Sequence, residues 1–344
     1  MSEYEVYLTP EQVAERLQLG TETVYRYLRT GKLRGRRISH KAWRIAEIDL
    51  ASFMRGQNIS ELLFEQYLAE QRLGKADHEP EFPGATKRID YRLQHNGKHL
   101  WFEVKEFADD MSLFSDTSGG SYNPYAGIRL KIDQAKEKFR DYKGECCSLV
   151  LFNEGANLAH IDSPNIVMGA MLGNLSFRVP IDIETRKQAG PIKNFFGDGG
   201  KMIQPHTKTP QNTTISAMIA LERLPVGQRE CRIRMAREEL NVSYQLSWDE
   251  IFEMSNPTCP AEERLVLRTT VYENPYARIP LPADIFCGPF DERWGPQDGS
   301  IVSKYIGPEL ADLVHREQEL DLHLSPLQLL FKREKEQEMQ RGEK

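Results

Sequence analysis

RIDYRLQHNGKHLWFEVKEF, residues 88–107, reads as two short strands joined by a tight turn. Asn96-Gly97 is a strong hairpin signal, because both residues accept the positive φ that a two-residue turn demands. Asp90 falls in the first strand, RIDYRL (88–93), and Glu103 and Lys105 in the second, LWFEVKEF (100–107). Strand side chains alternate, so Glu103 and Lys105 share a face with Trp101, while Phe102 and Val104 point the other way. The apolar flanks suit a buried central strand, where a charged pair is costly without partners or a metal. Two carboxylates and a lysine converging at a hairpin are what metal-dependent phosphodiester cleavage requires. The acids Asp90 and Glu103 would hold Mg²⁺ or Mn²⁺, the hard cations that favour an all-oxygen site. The lysine would orient the nucleophile or steady developing charge.

Working outward, ELLFEQYLAEQRLG (61–74) is an amphipathic helix with Leu62, Phe64, Tyr67, Leu68 and Leu73 on or near one side. IRLKIDQAKEKFRDY (128–142) is a second, with Ile128, Ile132, Ala135 and Phe139 forming a stripe. CSLVLFN (147–153) reads as a buried strand. Between them, residues 109–127 form a long polar, Gly-rich loop, and a loop of that length in a compact domain is usually functional or disordered.

An acidic residue, a hairpin-length gap and Glu-x-Lys in an apolar strand resemble the PD-(D/E)xK nuclease superfamily, over roughly residues 58–155. Ile89 stands where that motif's name has Pro. The resemblance implies a catalytic set of Asp90, Glu103 and Lys105, and an α/β core ordered helix, hairpin, helix, strand. Glu61-x-x-Phe64-x-x-Tyr67-Leu68 resembles an opening seen in several branches, which makes Glu61 the third acid and Glu65 its alternate. Gln134 and Lys138, one turn apart, resemble a pair that reaches a phosphate or metal-bound water in related nucleases. A solvated helix face explains the same two residues.

Residues 4–55 have a different character. Thr9-Pro10-Glu11-Gln12 is a capping box with Pro at the first helical position. Leu19-Gly20 makes a turn, Thr21 caps TETVYRYLRTG, and Gly31 ends it. LRGRRISHKAWRI (33–45) follows as a basic hairpin wing, and EIDLASFMR (47–55) as a third helix. This stretch resembles the excisionase-like and MerR-like helix-turn-helix family. The resemblance implies that Thr23, Tyr25, Arg26 and Arg29 lie toward a DNA groove, with Arg34, Arg36, Arg37 and Lys41 on the wing. From Arg16 to Arg44 there are nine basic residues against one acid, Glu22, in a chain whose formal charge is −6. That is a local footprint for duplex DNA on an acidic protein.

The 344 residues allow two domains and ample core. No segment approaches about twenty apolar residues, so no membrane span is expected. The opening MSEYEVYLTPEQ lacks the form of an export signal, and the five cysteines show no C-x-x-C spacing. Reduced thiols in the cytoplasm are therefore the expectation. No Walker loop, dinucleotide fingerprint or internal repeat is present.

The expected class is α/β (α+β): a winged helix-turn-helix at 1–57, a restriction-endonuclease-like mixed-sheet core flanked by helices at 58–290, and a helical extension at 291–344. The expected function is a Mg²⁺-dependent DNA endonuclease, which the resemblance places in prokaryotic restriction, phage defence or mobile-element biology. Cutting both strands takes two active sites, which a homodimer supplies. The alternatives are a DNA-binding regulator with an inactive nuclease fold, and a structure-selective nuclease on branched or damaged DNA.

Overall fold

A computed structural model describes residues 7–30, 32–37, 42–56, 58–107, 123–153, 160–191, 193–204, 207–240, 264–320 and 322. The chain divides into two compact units. One contains residues 7–222 and 267–306. In the other, α7 (Val226–Leu240) meets α8 (Pro308–Glu319), and Arg229 forms a two-pronged pair with Glu317 at 2.8 and 2.5 Å.

The larger unit opens with β1 (Tyr7–Leu8), α1 (Pro10–Leu17), α2 (Thr21–Arg29), β2 (Arg36–Arg37), β3 (Trp43–Ala46) and α3 (Glu47–Arg55). The capping box forms: Thr9 Oγ1 accepts from the Gln12 amide, and Gln12 returns its side-chain oxygen to the Thr9 N–H at 2.8 Å. Gly20, not Thr21, is the N-cap of α2; Thr21 is already helical, and no side chain caps this end. The small sheet runs β1-β3-β2, with β2 and β3 antiparallel as the wing. Leu8, Val13, Val24, Leu28, Leu33, Ile45 and Leu50 fill the core between them. Gly35 lets the wing close on α2: an added Cβ would stand 2.6 Å from Leu28 Cδ2 and 3.3 Å from the Arg44 carbonyl oxygen. Gly31 and Lys41 lie outside the described residues.

Next come α4 (Ile59–Glu70), β4 (Asp77–His78), β5 (Tyr91–His95), β6 (Lys98–Glu106), α5 (Ala126–Phe139), β7 (Cys146–Phe152) and α6 (Pro164–Leu172). The hairpin β8 (Leu175–Arg178) and β9 (Lys193–Phe196) follows, then β10 (Ile215–Pro225), β11 (Leu265–Glu273), β12 (Glu292–Gln297) and β13 (Ser300–Ile306). Eight strands form one sheet, ordered β13-β12-β11-β10-β7-β6-β5-β4. The Asn96-Gly97 turn joins β5 to β6 antiparallel, with both residues at positive φ. Beyond it the sheet turns parallel: β7 lies against β6 and against β10, with α5 in the crossover between β6 and β7. Parallel strands need such a crossover and are covered on both faces, and every residue of β7 is buried.

Alternation along β6 sends Trp101 to one core layer and Phe102 and Val104 to the other. The first layer packs Ile128, Ile132, Ala135 and Phe139 of α5 with Met168 and Met171 of α6. The second packs Phe64, Tyr67 and Leu68 of α4 with Tyr91 and Phe286. β12 and β13 carry the sheet to Ile306, past the boundary expected at 290. Cys146, Cys147 and Cys287 are free thiols, whereas Cys231 is disulfide-bonded, against the expectation that all five stay reduced. Among the described residues no helix is long and apolar enough to cross a membrane.

Candidate functional site

Asp90, Glu103 and Lys105 meet where the sheet changes from antiparallel to parallel. Asp90 sits one residue before β5 rather than inside a strand, and its Oδ2 accepts the Val104 N–H at 2.8 Å. The carboxylate thus takes a β6 donor and is fixed against the strand that carries the other two. Glu103 has no exposed surface and is ion-paired with Lys105. Lys138, in the last turn of α5, bridges the two acids: its Nζ is 2.6 Å from Glu103 Oε1 and 3.0 Å from Asp90 Oδ1. Gln134, one turn earlier, is exposed.

Burial pushes the Glu103 carboxyl above its usual range; Asp90 adds to the shift, and Lys105 and Lys138 oppose it. Glu61 on α4 is raised for the same reasons, burial first and Asp90 second. Its partners are Asn58 Nδ2 at 3.1 Å and His78 Nε2 at 3.6 Å. Glu65 is held elsewhere, accepting from the Tyr91 hydroxyl at 2.8 Å and facing Arg55 at 3.6 Å. Glu61 is thus electrostatically coupled to Asp90. Burial works against the charge of Lys138, but Glu103 and Asp90 together outweigh it and raise its pKa. Lys131 is lowered by burial and then by Lys105, which adds a third cation to this end of the sheet.

Among the described residues, no group of three or more His, Cys, Asp or Glu side chains is close enough to hold a metal by itself. Two carboxylates suffice for Mg²⁺, which keeps several of its waters. Glu103 Oε2 is buried with no hydrogen-bond partner among the described residues, and a buried anionic acceptor left over in this way fits a cation. His78 was missed from sequence, since a lone His in ADHEP carries no spacing signal. Lys138 was seen, but only as a residue reaching toward the site.

In the N-terminal domain, Arg26 and Arg29 are exposed on α2, while Thr23 and Tyr25 are half-buried. Arg29 pairs with Glu22 at 2.7 Å, and the Tyr25 hydroxyl donates to Glu11 at 3.2 Å. Arg36 and Arg37 are exposed on the wing strand β2. Arg34, expected on the wing, is instead half-buried and ion-paired with Glu106 of β6 at 3.0 Å. Residues 7–58 match a helix-turn-helix domain family. The helix-turn-helix domain implies DNA binding. No curated protein and no solved structure matches the chain.

Proposed function

We propose that this protein is a DNA endonuclease dependent on Mg²⁺ or Mn²⁺, with its helix-turn-helix docking on duplex DNA. The observation that carries the reading is the convergence of Asp90, Glu103 and Lys105, tied together by Lys138, on the open end of an antiparallel-to-parallel strand pair. Its resemblance to the PD-(D/E)xK arrangement supports the assignment of roles.

Asp90 and Glu103 would hold the metal, which when bound supplies water activation and charge neutralisation at the phosphate. Lys105, 25 % exposed beside the fully buried Glu103, is placed to hold a nucleophilic water or a phosphate oxygen. Lys138 keeps Glu103 and Asp90 oriented, and Glu61 adds negative charge near Asp90. The burial of Glu103 keeps water from its inner side and strengthens each of these interactions.

A second reading is a DNA-binding regulator with an inactive nuclease fold. It is favoured by the same bridge: Lys138 already neutralises both acids, and Val104 takes the remaining Asp90 oxygen.

Plasmid cleavage with Mg²⁺ or Mn²⁺, comparing wild type with Asp90→Ala and Lys105→Ala, separates the two. Cutting by wild type alone supports the nuclease. Duplex binding without cutting of plasmid, single strands or four-way junctions by any of them moves the conclusion to the regulator.

A further inference from the structure

The β8–β9 hairpin packs on the first core layer only at its root, through Phe196; every residue from Phe177 to Ala189 is exposed. It is nonetheless fully closed. Ala189 N–H donates to the Pro180 carbonyl, Asp182 N–H to Lys187, and Arg186 N–H to Asp182 at the tip. A two-stranded hairpin is marginal in water without a surface to pack on. One face carries Phe177, Val179 and Ile181, and Ile183 in the turn at the tip is 92 % exposed. On the other, Arg178 and Lys193 stand directly opposite each other, an arrangement that like charges disfavour. Arg178 also lies over the Phe195 ring. With Arg186 and Lys187 there are four cations against Asp182 and Glu184. None of the four forms an ion pair among the described residues.

The root of the hairpin is fastened to α5. Asn174 Oδ1 accepts from Arg129 at 2.7 Å, and Lys201 pairs with Asp133 at 2.5 Å. Arg129 and Lys138 lie on the same helix, about 14 Å apart at 1.5 Å per residue. That span is about four base pairs of duplex at 3.4 Å each.

We propose that this hairpin is a second DNA-contacting arm, its four cations on backbone phosphates and its apolar face against the groove wall, beside the Asp90–Glu103–Lys105 cluster. The inference rests on the DNA-binding part of the reading above and not on cleavage. Charge decides the occupant. A two-fold contact between copies through the apolar face would leave the Arg178–Lys193 patch on the opposite face without counter-charge, whereas a polyanion neutralises it. Apolar side chains on a basic ribbon are also what inserts into a minor groove.

The test is fluorescence anisotropy of the full chain on a labelled 40-base-pair duplex across a salt series. Wild type is compared with a quadruple variant (Arg178→Ala, Arg186→Ala, Lys187→Ala, Lys193→Ala) and with a shortened arm in which Asn-Gly replaces residues 179–192. Light scattering gives the mass of each. If the arm grips phosphates, the quadruple variant binds more than about tenfold more weakly near 150 mM salt, and its log K–log salt slope falls by about 3 to 4. Unchanged affinity and slope while Arg26→Ala weakens binding would overturn the arm alone. Absence of duplex binding by wild type overturns the arm together with the DNA reading. A change of mass on shortening, with the per-copy slope kept, assigns the arm to self-association and also overturns the proposal.

Discussion

Lys138 Nζ lies 2.6 Å from Glu103 Oε1, so the most deeply buried carboxylate of the candidate site is held by a helix that crosses over its strand. Removing one partner of a buried pair leaves an uncompensated charge and costs about 3–5 kcal/mol. Lys105 remains beside Glu103 and Lys138 is partly exposed, so Lys138→Met is expected to cost less, about 2 kcal/mol. Glu103→Gln in the same chain should recover much of that. Urea melts of the two single variants and the double variant measure the coupling; additive effects would show that the bridge contributes nothing.

Glu61 and Glu103 are both raised above the usual glutamate value of 4.5. For stability the sign follows: the protonated forms favour the fold, a contribution fully present below 4.5 and lost as pH rises through the raised values. For a cation the sign reverses, because proton and metal compete for the same oxygens. The rise in melting temperature caused by Mn²⁺ should therefore be larger at pH 7.5 than at pH 5.5. Glu103→Gln should abolish most of that rise. A rise independent of both pH and Glu103 would remove this carboxylate from the metal site.

Arg34 and Arg36 are two residues apart and face different tasks. Arg36 is exposed on the wing, whereas Arg34 is turned to Glu106, next to Lys105. Arg36→Ala should lower the salt slope of duplex binding by about 0.9, the contribution of one phosphate contact. Arg34→Ala should change that slope by less than half as much. Equal slopes would return Arg34 to the DNA-facing set.

The helix-turn-helix was legible because its signals are local: a capping box, a Gly turn, a basic wing. So was β6, where an NG turn and an apolar run frame Glu-x-Lys, and α5, whose four-residue stripe is fully buried. What sequence hid was pairing at a distance. Nothing near Arg34 announces Glu106, 72 residues away. Asp90 leaves its strand because its side chain replaces a ladder contact with Val104. Strands β12 and β13 were missed because WGPQ and SKYI are mixed in polarity, and Pro296, which argues against a central strand, lies beyond the stretch of β12 that pairs with β11.

Tyr67 and Asp291 form a second buried relationship. The Tyr67 hydroxyl donates to Asp291 Oδ2 at 2.5 Å, and Asp291 also accepts the Thr269 N–H at 2.7 Å and the Gly288 N–H at 2.6 Å. Hydrogen bonds to a charged group are worth about 1.5–3 kcal/mol. Tyr67→Phe should cost an amount in that range with duplex binding unchanged. Asp291→Ala should cost more, since it strands two buried amides and a phenol. Thermal melts beside the binding isotherm check both; a neutral Tyr67→Phe would show that the contact adds no stability.

That same contact sets a clock on biosynthesis. Tyr67 and Asp291 are 224 residues apart in the chain. At roughly 5–20 residues per second, a ribosome takes about 11–45 seconds to deliver the second after the first. Throughout that interval the α4 face that will carry Phe286 waits without its lid, whereas the buried core residues of the helix-turn-helix all lie between Leu8 and Leu50. The nascent chain therefore exposes a helix-turn-helix with its core complete well before the sheet beside it can close.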